Sequence, residues 1–192
     1  MSVHELAFAA LWEKDGRGFA GHLPLLGLRD CAREIAIIRE VVAKGGDTPS
    51  IVAMLADPNW RPNLVAATAV LFHPRDGALA APLWRALDEG SWVSPQLAVV
   101  LSFHDTELVP RAIERVERRC PMKPERWGER VAGKPNPKAL SALLALLDDL
   151  APDDACRLRA DPDIAALIGL PYEDGDRIAR SWRERIIPHL AE

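Results

Sequence analysis

Apolar residues in this chain recur at three- and four-residue spacing in segment after segment, the period of an amphipathic helix, and no stretch alternates in the way of a strand. In one such segment Leu108, Val109, Ala112, Ile113 and Val116 form an apolar stripe, leaving Arg111, Glu114, Arg115, Glu117 and Arg118 for the opposite side. The pattern predicts helices at about 3–12, 29–44, 48–55, 61–72, 76–89, 94–103, 106–119, 137–150, 152–159, 162–168 and 174–189, with a short turn at 124–131. Prolines sit at the starts of several of these segments, where the missing N–H would have no helical partner anyway. Acidic or hydroxyl side chains stand beside them, as in Asp47-Thr48-Pro49, Pro152-Asp153-Asp154 and Asp161-Pro162, ready to cap free N–H groups. Gly16, Gly18 and Gly21 follow no strand and are irregularly spaced, which reads as a turn rather than a phosphate-binding loop.

Two segments echo each other at a spacing of 31 to 33 residues. Trp60-Arg61-Pro62-Asn63-Leu64 opens an Ala/Val/Leu helix that ends in Phe72-His73, with Asp76 following. Trp92-Val93-Ser94-Pro95-Gln96-Leu97 opens another that ends in Phe103-His104, with Glu107 following. A weaker third copy begins at Asn136-Pro137 and runs through Leu143, Leu144 and Leu147 into Asp148-Asp149. Short connections between these helices require neighbours to fold back as antiparallel pairs, and degenerate helix-pair periods of this length are typical of helical repeats. In this the chain resembles the HEAT and armadillo-like superfamily over about 29–160. The resemblance implies an all-α, short HEAT-like solenoid of stacked helix pairs, and it carries over no catalytic residue.

Composition narrows the picture further. The 192 residues suit a single domain, with capping helices at about 162–190 after the repeats. A net charge of −4 argues against sequence-independent binding to nucleic acid, which needs a basic surface to displace counterions. No apolar run approaches the length needed to cross a bilayer, and residues 1–5 lack the basic and apolar regions of a secretory signal, so a cytoplasmic location is expected. Cys31, Cys120 and Cys156 show no Cys-x-x-Cys pattern and are expected to be buried free thiols. One segment departs from the acidic average. Residues 118–138 carry seven basic side chains against two acidic ones, a local charge of +5, together with four prolines. A basic, proline-rich insertion between repeats is a natural binding loop.

Motifs for nucleotide binding, serine hydrolysis, zinc proteolysis and calcium binding are absent, and no cofactor or metal is predicted. His73 and His104, each near an acid, could be imagined as a metal or general-base pair, but a histidine at a helix C-terminus serves the terminal carbonyls, and this reading takes precedence. Tryptophan and arginine are the residues richest in binding hot spots. Trp12, Trp84 and Trp182 fall in apolar helical patterns and are assigned to the core. The candidate partner-binding set is Trp60, Arg61 and Trp92 at the repeat starts, Arg111 and Arg115 on the charged ridge, and Arg126 and Trp127 in the insertion. The acidic clusters, Asp148-Asp149 and Asp153-Asp154 among them, are read as caps and solubilising charge.

The expectation that follows is a non-enzymatic, protein-binding helical-repeat module. Its small size, acidity and Ala/Arg/Pro/Asp-rich composition resemble bacterial immunity proteins that neutralise a cognate toxin. The alternative is a HEAT-like DNA-binding protein or an enzyme similar to the alkylpurine DNA glycosylases, although those are strongly basic.

Overall fold

The computed structural model describes residues 8–12, 21–45, 48–74, 77–123, 132–170 and 174–191. Among them the chain is all-helical and contains no strand; a lone antiparallel bridge joins Pro121 to Pro135. In chain order the helices are α1 (Leu23–Gly27), α2 (Ala32–Lys44), α3 (Thr48–Leu55), α4 (Trp60–Val70), α5 (Ala80–Asp88), α6 (Ser94–His104), α7 (Leu108–Glu117), α8 (Pro137–Leu150), α9 (Pro152–Arg159), α10 (Pro162–Ile168) and α11 (Gly175–Leu190). None is long and apolar enough to cross a membrane.

The boundaries fall where caps and breakers dictate. Asp161 ends the approach to α10 by accepting from the N–H groups of Asp163 and Ile164, and Asn136 does the same for α8 through Ala139 N–H. Gly90, at φ 79°, lets the chain leave α5, with the Ser91 N–H reaching back to the Ala86 carbonyl. The predicted 76–89 helix begins later, at Ala80, after Gly77 turns the chain at φ 74°. Helix α1 was not anticipated. It follows the predicted glycine turn, is only five residues long, and is held by burial of Leu25 rather than by any periodic pattern. Of the predicted first helix, residues 8–11 form a short 3-10 turn, and the predicted turn at 124–131 lies outside the described residues.

Packing is organised around α4, α6 and α8. Helix α6 contacts both of the others, α3 packs on α4, α5 on α6, and α7, α9 and α10 on α8. Helix α11 lies along both α6 and α8 and also reaches α1, while α1 and α2 contact α4. With neighbours on several sides these inner helices have no solvent-facing stripe. Residues 62–70 of α4, 94–101 of α6 and 139–147 of α8 are all buried, which explains why their sequences read as continuous Ala/Val/Leu runs. Truncating a leucine there, such as Leu143 or Leu97, would cost about 2–5 kcal/mol.

Several polar side chains inside this core are satisfied by backbone carbonyls. Asn63 donates to the carbonyls of Met54, Leu55 and Asp57 at 2.8, 3.2 and 3.1 Å, closing the end of α3, and accepts from the Ser91 hydroxyl at 2.7 Å. It therefore ties the first repeat segment to the second. Gln96, the residue following proline in the second segment as Asn63 is in the first, donates to the Leu26 carbonyl of α1 at 3.1 Å. Trp182 of α11 donates to Leu25 in the same short helix at 2.9 Å. Cys31 and Cys120 are buried as expected, whereas Cys156 is exposed: Ala155 and Leu158 supply the buried side of α9 and turn Cys156 outward.

Candidate functional site

Trp60 and Trp92, each opening one of the echoed segments, come together in space. Their ring centroids are 5.0 Å apart at an interplanar angle of 54°. His22 meets Trp60 edge-on at 6.0 Å and Trp12 at 5.2 Å, so the four rings form a ladder running outward from Trp12 to Trp92. Trp92 is 50% exposed, the largest exposed fraction among the large apolar side chains of the described residues. The reason lies in the local fold: Ser91 and Val93 on either side of it are buried, which leaves Trp92 at the outer corner of the α5–α6 turn.

Cations flank the ladder. The Arg61 guanidinium lies 4.8 Å from the Trp60 ring and the Lys138 ammonium 4.6 Å from that of Trp92, both within cation–π range. Lys138 is also the residue after proline in the third, weaker repeat segment, so all three segments contribute to one region. Neither Arg61 nor Lys138 has a carboxylate within ion-pair distance among the described residues, and the same holds for Arg29 just past α1.

Within the ladder His22 is 3% exposed, and neither ring nitrogen is in good hydrogen-bond geometry with a described group. Burial holds its pKa below the ordinary histidine value, against a pull from the Leu11 carbonyl, and the positive charge of Arg61 adds to the lowering. His22 thus packs between two indoles, its charged form disfavoured by burial.

Beside Trp92 a cleft of about 420 Å³ opens between α1, the first turn of α6, the first turn of α8 and the start of α11. Leu23, Pro24, Leu26, Trp92 and Ile178 give it apolar walls, while Lys138, Arg29, Gln96 and Asp174 supply its polar groups. Asp174 is engaged by Arg177 at 2.7 Å and Gln96 by Leu26, so the uncommitted charges of the cleft are positive.

The two other described members of the predicted set lie elsewhere and are engaged within the chain. Arg111 donates to Asp105 at 2.9 Å, and Arg115 grips Asp88 through two nitrogens at 2.7 and 3.0 Å while its guanidinium lies 4.0 Å from the Trp84 ring. Trp84, assigned to the core from its pattern, is 4% exposed and donates to Asp105 at 2.5 Å. Burial pushes the Asp105 carboxyl upward, but the hydrogen bonds from Trp84, the Glu107 N–H and Arg111 outweigh it and hold the group below the ordinary aspartate value. Arg126 and Trp127 lie outside the described residues. The base of their insertion is pinned, with Met122 N–H on the Lys134 carbonyl, Gly133 N–H on the Met122 carbonyl and Asn136 N–H on the Cys120 carbonyl.

The His73 ring meets the Thr48 hydroxyl at 3.0 Å, His104 is buried at the end of α6, and no cluster of three or more metal-ligating side chains exists among the described residues. Asp148 and Asp149 form an ion-pair network: Asp148 takes Arg159 at 2.8 Å and Arg180 at 2.5 Å, and Asp149 takes Arg183 at 2.7 Å. These acids lock α8 to α9 and α11.

Lys138 and Arg29 were not among the residues that sequence reasoning selected. The alignment of Asn63, Gln96 and Lys138 behind the repeat prolines carried a usable signal for Lys138, but Arg29 enters only because α1 folds beside α6 and α11. No protein-family model matches this chain, and neither curated proteins nor solved structures yield a significant similarity, so the functional reading rests on this geometry.

Proposed function

We propose that the chain is a non-enzymatic protein-binding module of stacked helix pairs whose recognition surface is centred on Trp92. The observation that supports this reading is the pairing of a half-exposed tryptophan, stacked on Trp60, with cations that have no carboxylate partner in the described part of the chain. An indole held rigidly at a surface brings a large contact area at little cost in side-chain entropy, and aromatic and arginine anchors dominate the energetics of protein interfaces. In its narrower form the partner is a toxin and the chain is its immunity protein, neutralising it by occlusion in the cell that makes both.

The test is a pull-down with the tagged full chain as bait, run in parallel with Trp92→Ala and with Arg157→Ala, a change at an exposed residue of α9 outside the ladder and its cleft. A stoichiometric protein retained by the parent and by Arg157→Ala, with retention at least about tenfold lower for Trp92→Ala, supports the module. Equal retention by Trp92→Ala, or recovery of nucleic acid in place of protein, overturns it. Expressing the captured partner alone and then with the chain decides the immunity form: growth arrest relieved by the parent chain and not by Trp92→Ala is the expected result, and a harmless partner rejects it.

A further inference from the structure

Most of the clefts on this molecule are lined by charges that the chain already uses. The cleft between α8 and α11 holds Asp149 and Arg183, which pair with each other, and the one beside α7 holds Asp88 and Arg115, which do the same. The cleft next to His104 holds Asp105 and Arg111, again a pair. The cleft beside Trp92 is different in kind. Its acid is engaged by Arg177, its amide by Leu26, and its two cations, Lys138 and Arg29, are left without a counter-charge in the described residues.

A carboxylate arriving at Lys138 would meet an ammonium positioned 4.6 Å from the Trp92 ring and would lie against walls formed by Leu23, Pro24 and Ile178. Low-dielectric walls strengthen such a charge pair relative to open solvent. Leu23 and Trp92 are both exposed, and covering them requires an apolar group on the same ligand. A cleft of about 420 Å³ accommodates side chains of a partner but not a folded element.

We infer that this cleft receives a linear acidic and apolar segment of the protein partner, an aliphatic or aromatic side chain seated between α1 and Trp92 with a neighbouring carboxylate on Lys138 and Arg29. The inference rests on the protein-binding reading and specifies its chemistry. A nucleic-acid strand fits less well, because the chain is acidic overall and the cleft walls are apolar.

The experiment is selection of phage-displayed random dodecapeptides on the immobilised full chain, in parallel with Lys138→Glu, Arg29→Glu and Trp92→Ala, each checked for native melting. The expected outcome is enrichment of peptides with Asp or Glu within two positions of an aromatic or aliphatic residue. Their affinity should fall at least about tenfold for Lys138→Glu, and as much when the peptide acid is changed to its amide. Enrichment of peptides without an acid, unchanged affinity for Lys138→Glu, or no enrichment at all overturns the inference. Saturable quenching of tryptophan fluorescence by phenylacetate or by a thymidine oligonucleotide, without peptide enrichment, overturns it in favour of a small carboxylate or a nucleic acid. The two failures are separable: a pull-down partner that depends on Trp92 but is indifferent to Lys138→Glu leaves the module standing and removes only the acidic segment.

Discussion

Among the described residues tryptophan meets a cation in two regions, and the two arrangements have opposite characters. Around Trp84 the arrangement is closed: the indole is buried, its N–H is bonded to Asp105, and the arginine beside its ring is gripped at both nitrogens by Asp88. Around Trp92 it is open, with half the indole in solvent and the cations beside it and beside Trp60 lacking a carboxylate partner among the described residues. A cation next to an indole is therefore no signature of binding by itself. What separates a structural pair from a recognition surface is whether the remaining valence of each group is spent inside the fold.

The sharpest way to break this comparison is truncation. Trp84→Ala should destabilise the chain by about 3–5 kcal/mol in denaturant melts, since it empties a core site and removes one of the hydrogen bonds to Asp105, whereas Trp92→Ala should cost no more than about 1.5 kcal/mol, the worth of an aromatic pair. Similar losses at the two sites would show that Trp92 is a structural residue like Trp84.

A smaller effect is expected from the closed pair's acid. Asp88→Ala leaves the Arg115 guanidinium, 20% exposed, without its bidentate partner, and about 1–3 kcal/mol of stability should go with it. The corresponding change in the open region, Lys138→Ala, removes no ion pair among the described residues and should leave the melting temperature within a degree or two of the parent, at most about 0.5 kcal/mol.

The smallest effects, in pH, distinguish the regions by window. His22 has a folded pKa below its ordinary value of 6.5, so the unfolded chain binds the proton first. Its contribution is complete above pH 6.5 and is lost as the pH falls toward the lowered folded value. Asp105, with a folded pKa below its ordinary 3.8, contributes fully above that value and loses its contribution only as the pH falls through the lowered one. Melting curves between pH 7 and 3 should show a first decline that His22→Phe flattens and a more acid decline that Asp105→Asn flattens. A His22→Phe variant with the parent's mildly acidic decline would place the sensitivity elsewhere.

Helix content was legible because the apolar period and the proline and aspartate starts are local signals. The bounds of α3, α8, α9 and α10 coincide with the predicted segments, and each begins with proline at its first or second residue. Helix α1 was illegible, since five residues are too few to show a period and its stability comes from Leu25 in the core and from Trp182 and Gln96 bonding to its carbonyls. The candidate site was legible in part. The echoed segments singled out Trp60, Arg61 and Trp92, and the fold brings the two indoles together. Arg111 and Arg115 looked equivalent to Arg61 in the sequence, but Asp105, just ahead of α7, engages the first and Asp88, brought from α5, engages the second.

The order of hydrophobic and polar residues determined by itself that this chain is helical and where most of its helices start, because both depend on interactions within a few residues. The commitment of Arg115 and of Lys138 was decided only by the tertiary structure. Arg115 is paired because Asp88 is brought to it from α5, whereas the packing of α1, α6, α8 and α11 around one cleft sets Lys138 and Arg29 near Trp92 with no ion-pair partner among the described residues.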